Sequence, residues 1–341
     1  MGNSPRECVG QVFALLGPPR SGSSAIMRGL ACLGVHLGDN SNLRAPDPNN
    51  PEGFWEDKKV KAICEAFMAD SGMRWDSLRH LDHAEFSTGI GHQYFTQAVS
   101  VVTDAVNSAP NKIWGVKNPR MALMVSFWLS VFASSGCDDR YVVSLRNPLS
   151  VAASIVRGSP HRGTGSRPTY LHLVWMTHMI GALAPAMAGK PTVIVDYDAV
   201  MARPESELHR MADAIGLGPM CDAKAVAQYA ADFLKPGLRH SAFAADQFLH
   251  DPHVPKVVRD AYSAASGAAT EGAGPNSPEF RSRWLKIVED FGTLAPVLRL
   301  ADDHESERTQ RRAFAGAFYR RMPPGIKRML AGKRPQGASG S

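Results

Sequence analysis

A loop rich in glycine, serine and arginine follows the first apolar run of the chain, and its composition suits the binding of a phosphate-like anion. Residues 12–24 read VFALLGPPRSGSS, which predicts a buried strand, a tight turn and a helix that begins at about Ser24. Backbone N–H groups at such a helix start point outward and carry partial positive charge. Gly22 lets the backbone approach an anion closely. Four side chains could add hydroxyl donors or a fixed charge: Arg20, Ser21, Ser23 and Ser24.

The spacing of the two glycines resembles a nucleoside-triphosphate-binding loop, but one residue differs. Four residues separate Gly17 from Gly22, as in the G-x-x-x-x-G-K-[ST] pattern. Ser23 stands where that pattern has lysine, and phosphoryl transfer needs this lysine together with an acid that holds Mg²⁺. No convincing second acid follows a predicted strand. We therefore expect a loop that binds phosphate without acting as a kinase does; the alternative is an ordinary strand–turn–helix with serines at the helix start.

A second predicted strand end carries another arginine. Residues 140–148 read RYVVSLRNP, and Asn147 and Pro148 suit a helix N-cap and first turn. Arg146 would then lie at the carboxyl edge of the sheet, where α/β proteins bind ligands. Ser154 follows eight residues later, about two helical turns on, so one ligand could contact both side chains. The alternative is that Arg146 pairs with a surface acid and Ser154 only packs.

Together with two further segments, these motifs resemble the sulfotransferase family, which transfers a sulfuryl group from 3′-phosphoadenosine 5′-phosphosulfate (PAPS) to a hydroxyl or amine. The family's 5′-phosphosulfate loop, [KR]-[ST]-G-[ST]-[ST], matches residues 20–24, and its 3′-phosphate motif matches Arg146 and Ser154. Residues 50–57 (NPEGFWED) and 114–120 (WGVKNPR) are similar to two stretches of bacterial members. The resemblance spans residues 12–217, and residues 233–240 are weakly similar to a late cofactor-contacting segment.

The resemblance implies a role for each matched residue. The loop residues 20–24, Arg146 and Ser154 would hold PAPS, and Glu56 would take the proton of the acceptor hydroxyl. Other groups remain open as the base: Glu52, Asp57 and His36. Glu56 could instead be a helix-start acid favoured by the dipole. Arg20 and Lys117 would stabilise charge on the transferring group, although Lys117 could also belong to a structural ion pair.

The acceptor is expected to be a hydroxyl of a carbohydrate or glycolipid. Arg20 replaces the lysine of cytosolic animal members, and no convincing G-x-x-G-x-x-K lies near the end; both features suit the bacterial carbohydrate branch. No metal is expected, because a sulfuryl group carries less negative charge than a terminal phosphoryl group. His80-x-x-His83 is interpreted as a chance surface pair. The alternatives are a P-loop nucleotide kinase or NTPase, and a non-catalytic nucleotide-binding protein of the same fold.

The elements that must position these residues alternate between short β-branched runs and longer helical patterns. This predicts an α/β fold with a P-loop-type, sulfotransferase-like parallel sheet flanked by helices. The predicted strands are Gln11–Leu16, Lys112–Val116, Arg140–Leu145 and Thr192–Asp196. The predicted helices are Ser24–Leu33, Ala122–Phe132, Leu149–Arg157, Tyr170–Ala188, Pro204–Ile215 and Glu279–Leu294.

We expect one domain over residues 1–300 and a basic, partly disordered tail over residues 301–341. Residues 263–278 (SAASGAATEGAGPNSP) are small, polar and glycine-rich, which predicts a surface loop or linker. The tail carries nine Lys or Arg and no acid from residue 308 onward. Its segment Arg311–Leu330 mixes aromatic and basic residues, so it could rest on anionic lipid or pack its aromatics on the body as a terminal helix.

Charge and cysteine usage indicate the surroundings of the protein. The 341 residues include 38 Lys or Arg and 32 Asp or Glu. Without the nine tail cations, the first 307 residues carry a formal charge of −3, which argues against a nucleic-acid-binding core. The five cysteines are scattered, without a C-x-x-C pair, so a reducing compartment is expected. Because no apolar run approaches the length of a membrane span, we expect a cytoplasmic protein, at most peripheral at the inner membrane face.

Overall fold

Four parallel strands form the centre of the fold. They are β1 (Gly10–Leu16), β2 (Ile113–Lys117), β3 (Cys137–Leu145) and β4 (Thr192–Asp196), in the spatial order β2-β1-β3-β4. The computed structural model describes residues 10–47, 50, 52–158, 168–220, 222–232, 243, 245–270, 274–324 and 326. The register places Leu15 beside Lys117, and Leu145 beside Asp196. The carboxyl ends of the strands therefore meet along one edge.

Helices connect and cover these strands. The α-helices of the described residues are α1 (Ser23–Cys32), α2 (Lys58–Asp70), α3 (His83–Ser87), α4 (Gly89–Ser108), α5 (Val125–Ser134), α6 (Pro148–Gly158), α7 (Pro168–Met187), α8 (Tyr197–Ala202), α9 (Pro204–Ala214), α10 (Ala223–Asp232), α11 (Ala245–His250), α12 (Lys256–Thr270), α13 (Pro278–Gly292) and α14 (Ala295–Arg321). Short 3₁₀ turns lie at Asn40–Asn42, Pro110–Lys112, Pro119–Met124 and Gly218–Met220.

The sheet is buried on both faces. On one face, Phe13 and Leu15 belong to a core cluster with Leu30 of α1 and Leu208 of α9. On the other face, the ring of Tyr141 lies 6.5 Å from that of Phe132, which belongs to α5. Two-sided burial explains why the strands are continuous apolar runs rather than alternating ones. The predicted fold class, an α/β parallel sheet flanked by helices, is confirmed.

The predicted linker over residues 263–278 is wrong in its first half. Residues 263–270 belong to α12, which packs against α13 and β4. Its alanines at 264, 265, 268 and 269 are buried, and this i, i+1, i+4, i+5 spacing forms a narrow apolar face that packs closely. Small residues that resemble a linker in the sequence are therefore the contact surface of a helix. Ser277, at the end of the same stretch, caps α13 by accepting from Phe280 N–H.

The chain divides into two compact units, one up to Thr293 and one from Leu294 onward. The second unit contains α14, a helix of 27 residues that begins at Ala295 and continues past residue 300. Among the helices in the described ranges, none is both long and apolar enough to cross a bilayer.

Candidate functional site

The predicted phosphate loop connects β1 to α1 at the carboxyl edge of the sheet. Gly22 is the N-cap of α1 and has φ 85°, a left-handed conformation that favours glycine. A Cβ at this position would also collide with the ring of Tyr197. No side chain caps the helix. Its first N–H groups are therefore not occupied by a capping side chain and are available to an anion. Arg20 also has a left-handed backbone, with φ 67°.

The three predicted serine hydroxyls of this loop have different surroundings. The Ser21 hydroxyl is buried, donates to the Pro18 carbonyl at 2.7 Å and lies 2.6 Å from the Ser144 hydroxyl. It therefore fixes the loop against β3, and the backbone N–H is the group of Ser21 that could reach a ligand. Ser23, at the first position of α1, has no hydroxyl partner among the described residues.

The Ser24 hydroxyl joins the loop to the segment of residues 50–57. It accepts from the Asn50 amide at 3.1 Å and from Lys117 Nζ at 3.3 Å, and it lies 3.4 Å from the Phe54 carbonyl. The Asn50 amide also donates to the Gly53 carbonyl at 2.5 Å. Two of the motifs that the sequence singled out are thus held together through one serine oxygen.

Arg146 and Ser154 lie against the phosphate loop. Arg146 Nη1 donates to the Arg20 carbonyl at 3.1 Å, and Arg20 Nε donates to the Ser154 hydroxyl at 3.1 Å. The Arg146 guanidinium is buried and stacks on Tyr197, 4.8 Å from the ring centroid. The Trp175 indole N–H donates to the Arg146 carbonyl at 3.1 Å. The structure therefore brings the two predicted anion sites into direct contact.

Partial burial leaves the positive charge of the Arg20 guanidinium incompletely compensated. Desolvation lowers the pKa of Arg20, and the charge of Asp47 and the Tyr197 hydroxyl offset this only in part. Arginine stays protonated at neutral pH, so the lowered pKa means an incompletely compensated positive charge. A phosphate or sulfate oxygen would supply the missing charge-assisted hydrogen bonds.

Lys117 and Glu56 form a buried ion pair next to the loop. Lys117 Nζ lies 3.5 Å from Glu56 Oε1 and donates to the Phe54 carbonyl at 2.7 Å. Desolvation lowers the pKa of Lys117, and the Glu56 carboxylate opposes that shift. The ion pair that the sequence left open for Lys117 is thus present, and its partner is the proposed base itself.

Arg44 is a site residue that the sequence motifs did not indicate. Its Nη1 lies 3.3 Å from Glu56 Oε2, and its Nη2 lies 3.4 Å from Asp47. The guanidinium also stacks on Phe54, 3.4 Å from the ring centroid. Glu56 is therefore held by a cation at each carboxylate oxygen. Arg44 belongs to no motif. It reaches the site because its segment pairs with the segment of Glu56: Leu43 forms a β-bridge with Asp57, and Arg44 N–H donates to the Glu56 carbonyl.

The contacts of Asp57 distinguish it from Glu56 as a candidate base. Asp57 is the N-cap of α2, where its Oδ1 accepts from Lys59 N–H at 2.8 Å and Val60 N–H at 2.9 Å. The helix-start role considered for Glu56 thus belongs to Asp57. His36 pairs its backbone with Trp114 beside β2. Trp55 has φ 55°, an uncommon conformation for a bulky residue.

Tyr197 is the second residue of the candidate site that the sequence motifs did not indicate. It follows directly after β4 and lies under both Gly22 and Arg146. An aromatic residue directly after a predicted strand was the available signal, since Thr192–Asp196 was predicted correctly.

Other predicted residues lie apart from this constellation. Arg120 Nη2 pairs with Glu65 Oε1 at 2.8 Å and so braces the segment after β2 against α2. His80 Nε2 lies 2.9 Å from the Thr177 carbonyl, so it serves the packing of α7. Within the described ranges, no group of three or more His, Cys, Asp or Glu side chains is arranged to hold a metal ion. Residues 233–240 lie outside the described part.

The solved structures similar to this chain include two sulfotransferase domains. No family model matches the chain, and no curated protein matches it. The sulfotransferase domain from the Synechococcus PCC 7002 olefin synthase is 16% identical over 86% of this chain and 98% of that domain, with a TM-score of 0.40. The sulfotransferase domain from the curacin biosynthetic pathway is 17% identical over 84% of this chain and 99% of that domain, also with a TM-score of 0.40. At these identities and TM-scores, neither domain assigns a function to this chain.

Proposed function

We propose that the protein transfers a sulfuryl group from PAPS to a hydroxyl of a carbohydrate or glycolipid acceptor. The observation that carries the proposal is the contact between the two anion sites, in which Arg20 bonds to both partners. Its carbonyl accepts from Arg146 and its guanidinium donates to Ser154. A nucleotide with phosphate groups at both ends of its ribose offers one anion to each site.

The donor would bind through groups already directed toward it. The N–H groups at the start of α1, the Ser23 hydroxyl and the Arg20 guanidinium would hold the 5′-phosphosulfate. Arg146 and Ser154 would hold the 3′-phosphate. Gly22 fits this role because its left-handed φ turns the chain into the helix without a side chain over the amides.

Transfer would proceed as an in-line displacement at sulfur. The acceptor oxygen forms a bond to sulfur, while the bond from sulfur to the bridging phosphate oxygen breaks and its electron pair leaves with adenosine 3′,5′-bisphosphate (3′,5′-ADP). The proton of the acceptor hydroxyl passes to Glu56. Lys117 and Arg20 would stabilise the charge that grows on the bridging oxygen and on the sulfuryl group.

The Glu56–Lys117 pair suits this division of roles. Before the donor binds, Lys117 lies 3.5 Å from one carboxylate oxygen of Glu56 in a buried setting, while Arg44 holds the other oxygen. A bridging oxygen next to the loop would attract Lys117, which already reaches Ser24. As Lys117 moves toward the bridging oxygen, its interaction with Glu56 would weaken. The Glu56 carboxylate could then accept a hydrogen bond from the acceptor hydroxyl.

The acceptor class rests on two sequence features that suit the bacterial carbohydrate branch: Arg20 in place of the lysine of cytosolic animal members, and the lack of a convincing G-x-x-G-x-x-K segment. The cellular setting rests on the thiols: Cys32, Cys64 and Cys137 are free, as expected in a reducing compartment. We therefore propose that the reaction takes place in the cytoplasm. The formal charge of −3 over the first 307 residues argues against a nucleic-acid partner.

Calorimetric titration and a transfer assay test the proposal together. We expect 3′,5′-ADP to bind without Mg²⁺ and to raise the melting temperature, and radiolabelled sulfate to pass from PAPS to saccharide or glycolipid acceptors. Stabilisation only by Mg–ATP would instead indicate a nucleotide kinase or NTPase. Nucleotide binding without transfer to a broad acceptor panel would favour a non-catalytic nucleotide-binding protein.

A further inference from the structure

The last turns of α14 present an exposed face on which two aromatic side chains lie between two basic ones. Phe314 and Phe318 are 75% and 60% exposed, and a spacing of four residues puts them on one side of the helix. Arg311 lies three residues before the pair and Arg321 three residues after it. We call these four residues the aromatic–basic face.

Exposure of two neighbouring phenyl rings is unfavourable in water, because apolar area gains free energy when it leaves water. Large apolar side chains that lie together on a surface therefore commonly mark an interaction site. Arg311 pairs with Glu307 at 3.3 Å, but both side chains are mostly exposed, so the pair is screened and weak. The aromatic–basic face thus combines accessible apolar area with accessible positive charge.

The distribution of charge along the chain indicates what kind of partner the aromatic–basic face binds. The acids of α14, at positions 302, 303, 305 and 307, all precede Arg308, while the 34 residues from Arg308 to the end carry nine Lys or Arg and no acid. Amphipathic helices with aromatic residues on the apolar face and Lys or Arg on the polar face can lie in the plane of anionic membranes. Basic clusters add attraction to anionic headgroups within a Debye length.

We propose that the aromatic–basic face docks on the surface of an anionic lipid bilayer. Phe314 and Phe318 insert at the boundary between headgroups and acyl chains. Arg311 and Arg321 extend their guanidinium groups to the lipid phosphates on either side, with their aliphatic stems along the apolar boundary. This surface is independent of the proposed sulfuryl transfer and does not require it.

Vesicle flotation of the full chain tests the proposal. The probes are vesicles of phosphatidylcholine alone and of an equal mixture of phosphatidylcholine and phosphatidylglycerol. We expect the wild-type chain to float with the mixed vesicles, to float much less with phosphatidylcholine alone, and to lose binding as salt rises. The double variant Phe314→Ser/Phe318→Ser should bind the mixed vesicles at least about tenfold more weakly, given the apolar area it removes.

A matched control lies on the same helix. Val297 and Leu300 are 65% and 71% exposed but lie before the acids, so Val297→Ser/Leu300→Ser should float like the wild type. Equal flotation of the phenylalanine variant, or no preference of the wild type for phosphatidylglycerol, overturns the proposal. It is likewise overturned if the chain binds a DNA or RNA duplex but no vesicle. Self-association without vesicle binding, lost in the phenylalanine variant, would make the face a contact between copies instead.

Discussion

The Arg20 guanidinium donates to the Ser154 hydroxyl at 3.1 Å, although 134 positions separate the two residues. Arg20 belongs to the loop after β1, and Ser154 belongs to α6 after β3. Because β1 and β3 are neighbours in the sheet, their carboxyl ends place both turns at one edge. This contact turns two separate anion sites into one candidate site for a nucleotide with two anionic ends.

Loss of the Arg146 guanidinium should weaken binding of the 3′-phosphate specifically. We expect Arg146→Ala to reduce the affinity for 3′,5′-ADP by about 1.5–3 kcal/mol, as for a lost charged hydrogen bond. The affinity for 5′-AMP, which lacks that phosphate, should change much less in calorimetric titrations. Arg203→Ala, an exposed arginine that pairs with Glu207, is the control. Equal losses for both nucleotides would contradict the assignment.

Two serines of the loop should respond differently to the same substitution. Ser21→Ala removes a buried hydroxyl that contacts Pro18 and Ser144, so the free energy of unfolding should fall by about 1–3 kcal/mol. Ser23→Ala should leave stability unchanged and weaken binding of both 5′-AMP and 3′,5′-ADP by about 1 kcal/mol. Chemical denaturation and titration calorimetry separate the two effects. A stable Ser21→Ala chain that no longer binds nucleotide would show that this hydroxyl reaches the ligand after all.

Much of the sheet could be predicted from the sequence, because strands buried on both faces leave continuous apolar runs. β4 was predicted to the residue, while β3 begins at Cys137 rather than Arg140. The first residues of β3 include Asp138 and Asp139, which oppose a strand assignment by propensity. Asp139 is buried because it accepts from Tyr141 at 2.6 Å and Lys190 at 2.7 Å. Such compensation by tertiary partners is invisible in a local pattern.

The candidate site was predictable only where a motif marked it. The loop, Arg146, Ser154, Lys117 and Glu56 follow or adjoin elements with recognisable ends, and the structure brings them to one edge. Arg44 comes from a long irregular connection after α1, and nothing in the sequence distinguishes it from other surface arginines. The separate roles of the loop serines depend on which way each hydroxyl points, which residue type alone does not determine.

Replacement of the proposed base should affect turnover without affecting nucleotide binding. We expect Glu56→Gln to lower kcat by roughly 10²–10⁴-fold, the scale of general base catalysis, and to leave the affinity for 3′,5′-ADP unchanged. Asp57→Ala removes the cap of α2 and should cost about 1 kcal/mol of stability while kcat persists. Steady-state kinetics on both variants checks the assignment, and the reverse pattern would make Asp57 the base.

The buried imidazole of His178 should make the protein less stable in mild acid. Burial in α7 lowers the pKa of His178 from 6.5 to about 4, despite its hydrogen bond to the Val174 carbonyl. Between these values the unfolded chain binds more protons than the folded one, so stability is lost as pH falls through this window. From about pH 7 to about pH 5 this group alone should remove about 2 kcal/mol of unfolding free energy.

Urea denaturation at both pH values measures this loss directly. His178→Gln should show a flatter pH dependence than the wild type, because the group that takes up protons only on unfolding is gone. Burial also lowers the pKa of His80 and His172, so part of the slope should remain in that variant. If His178→Gln loses as much stability between the two pH values as the wild type, the buried imidazole is not the group that responds to acid.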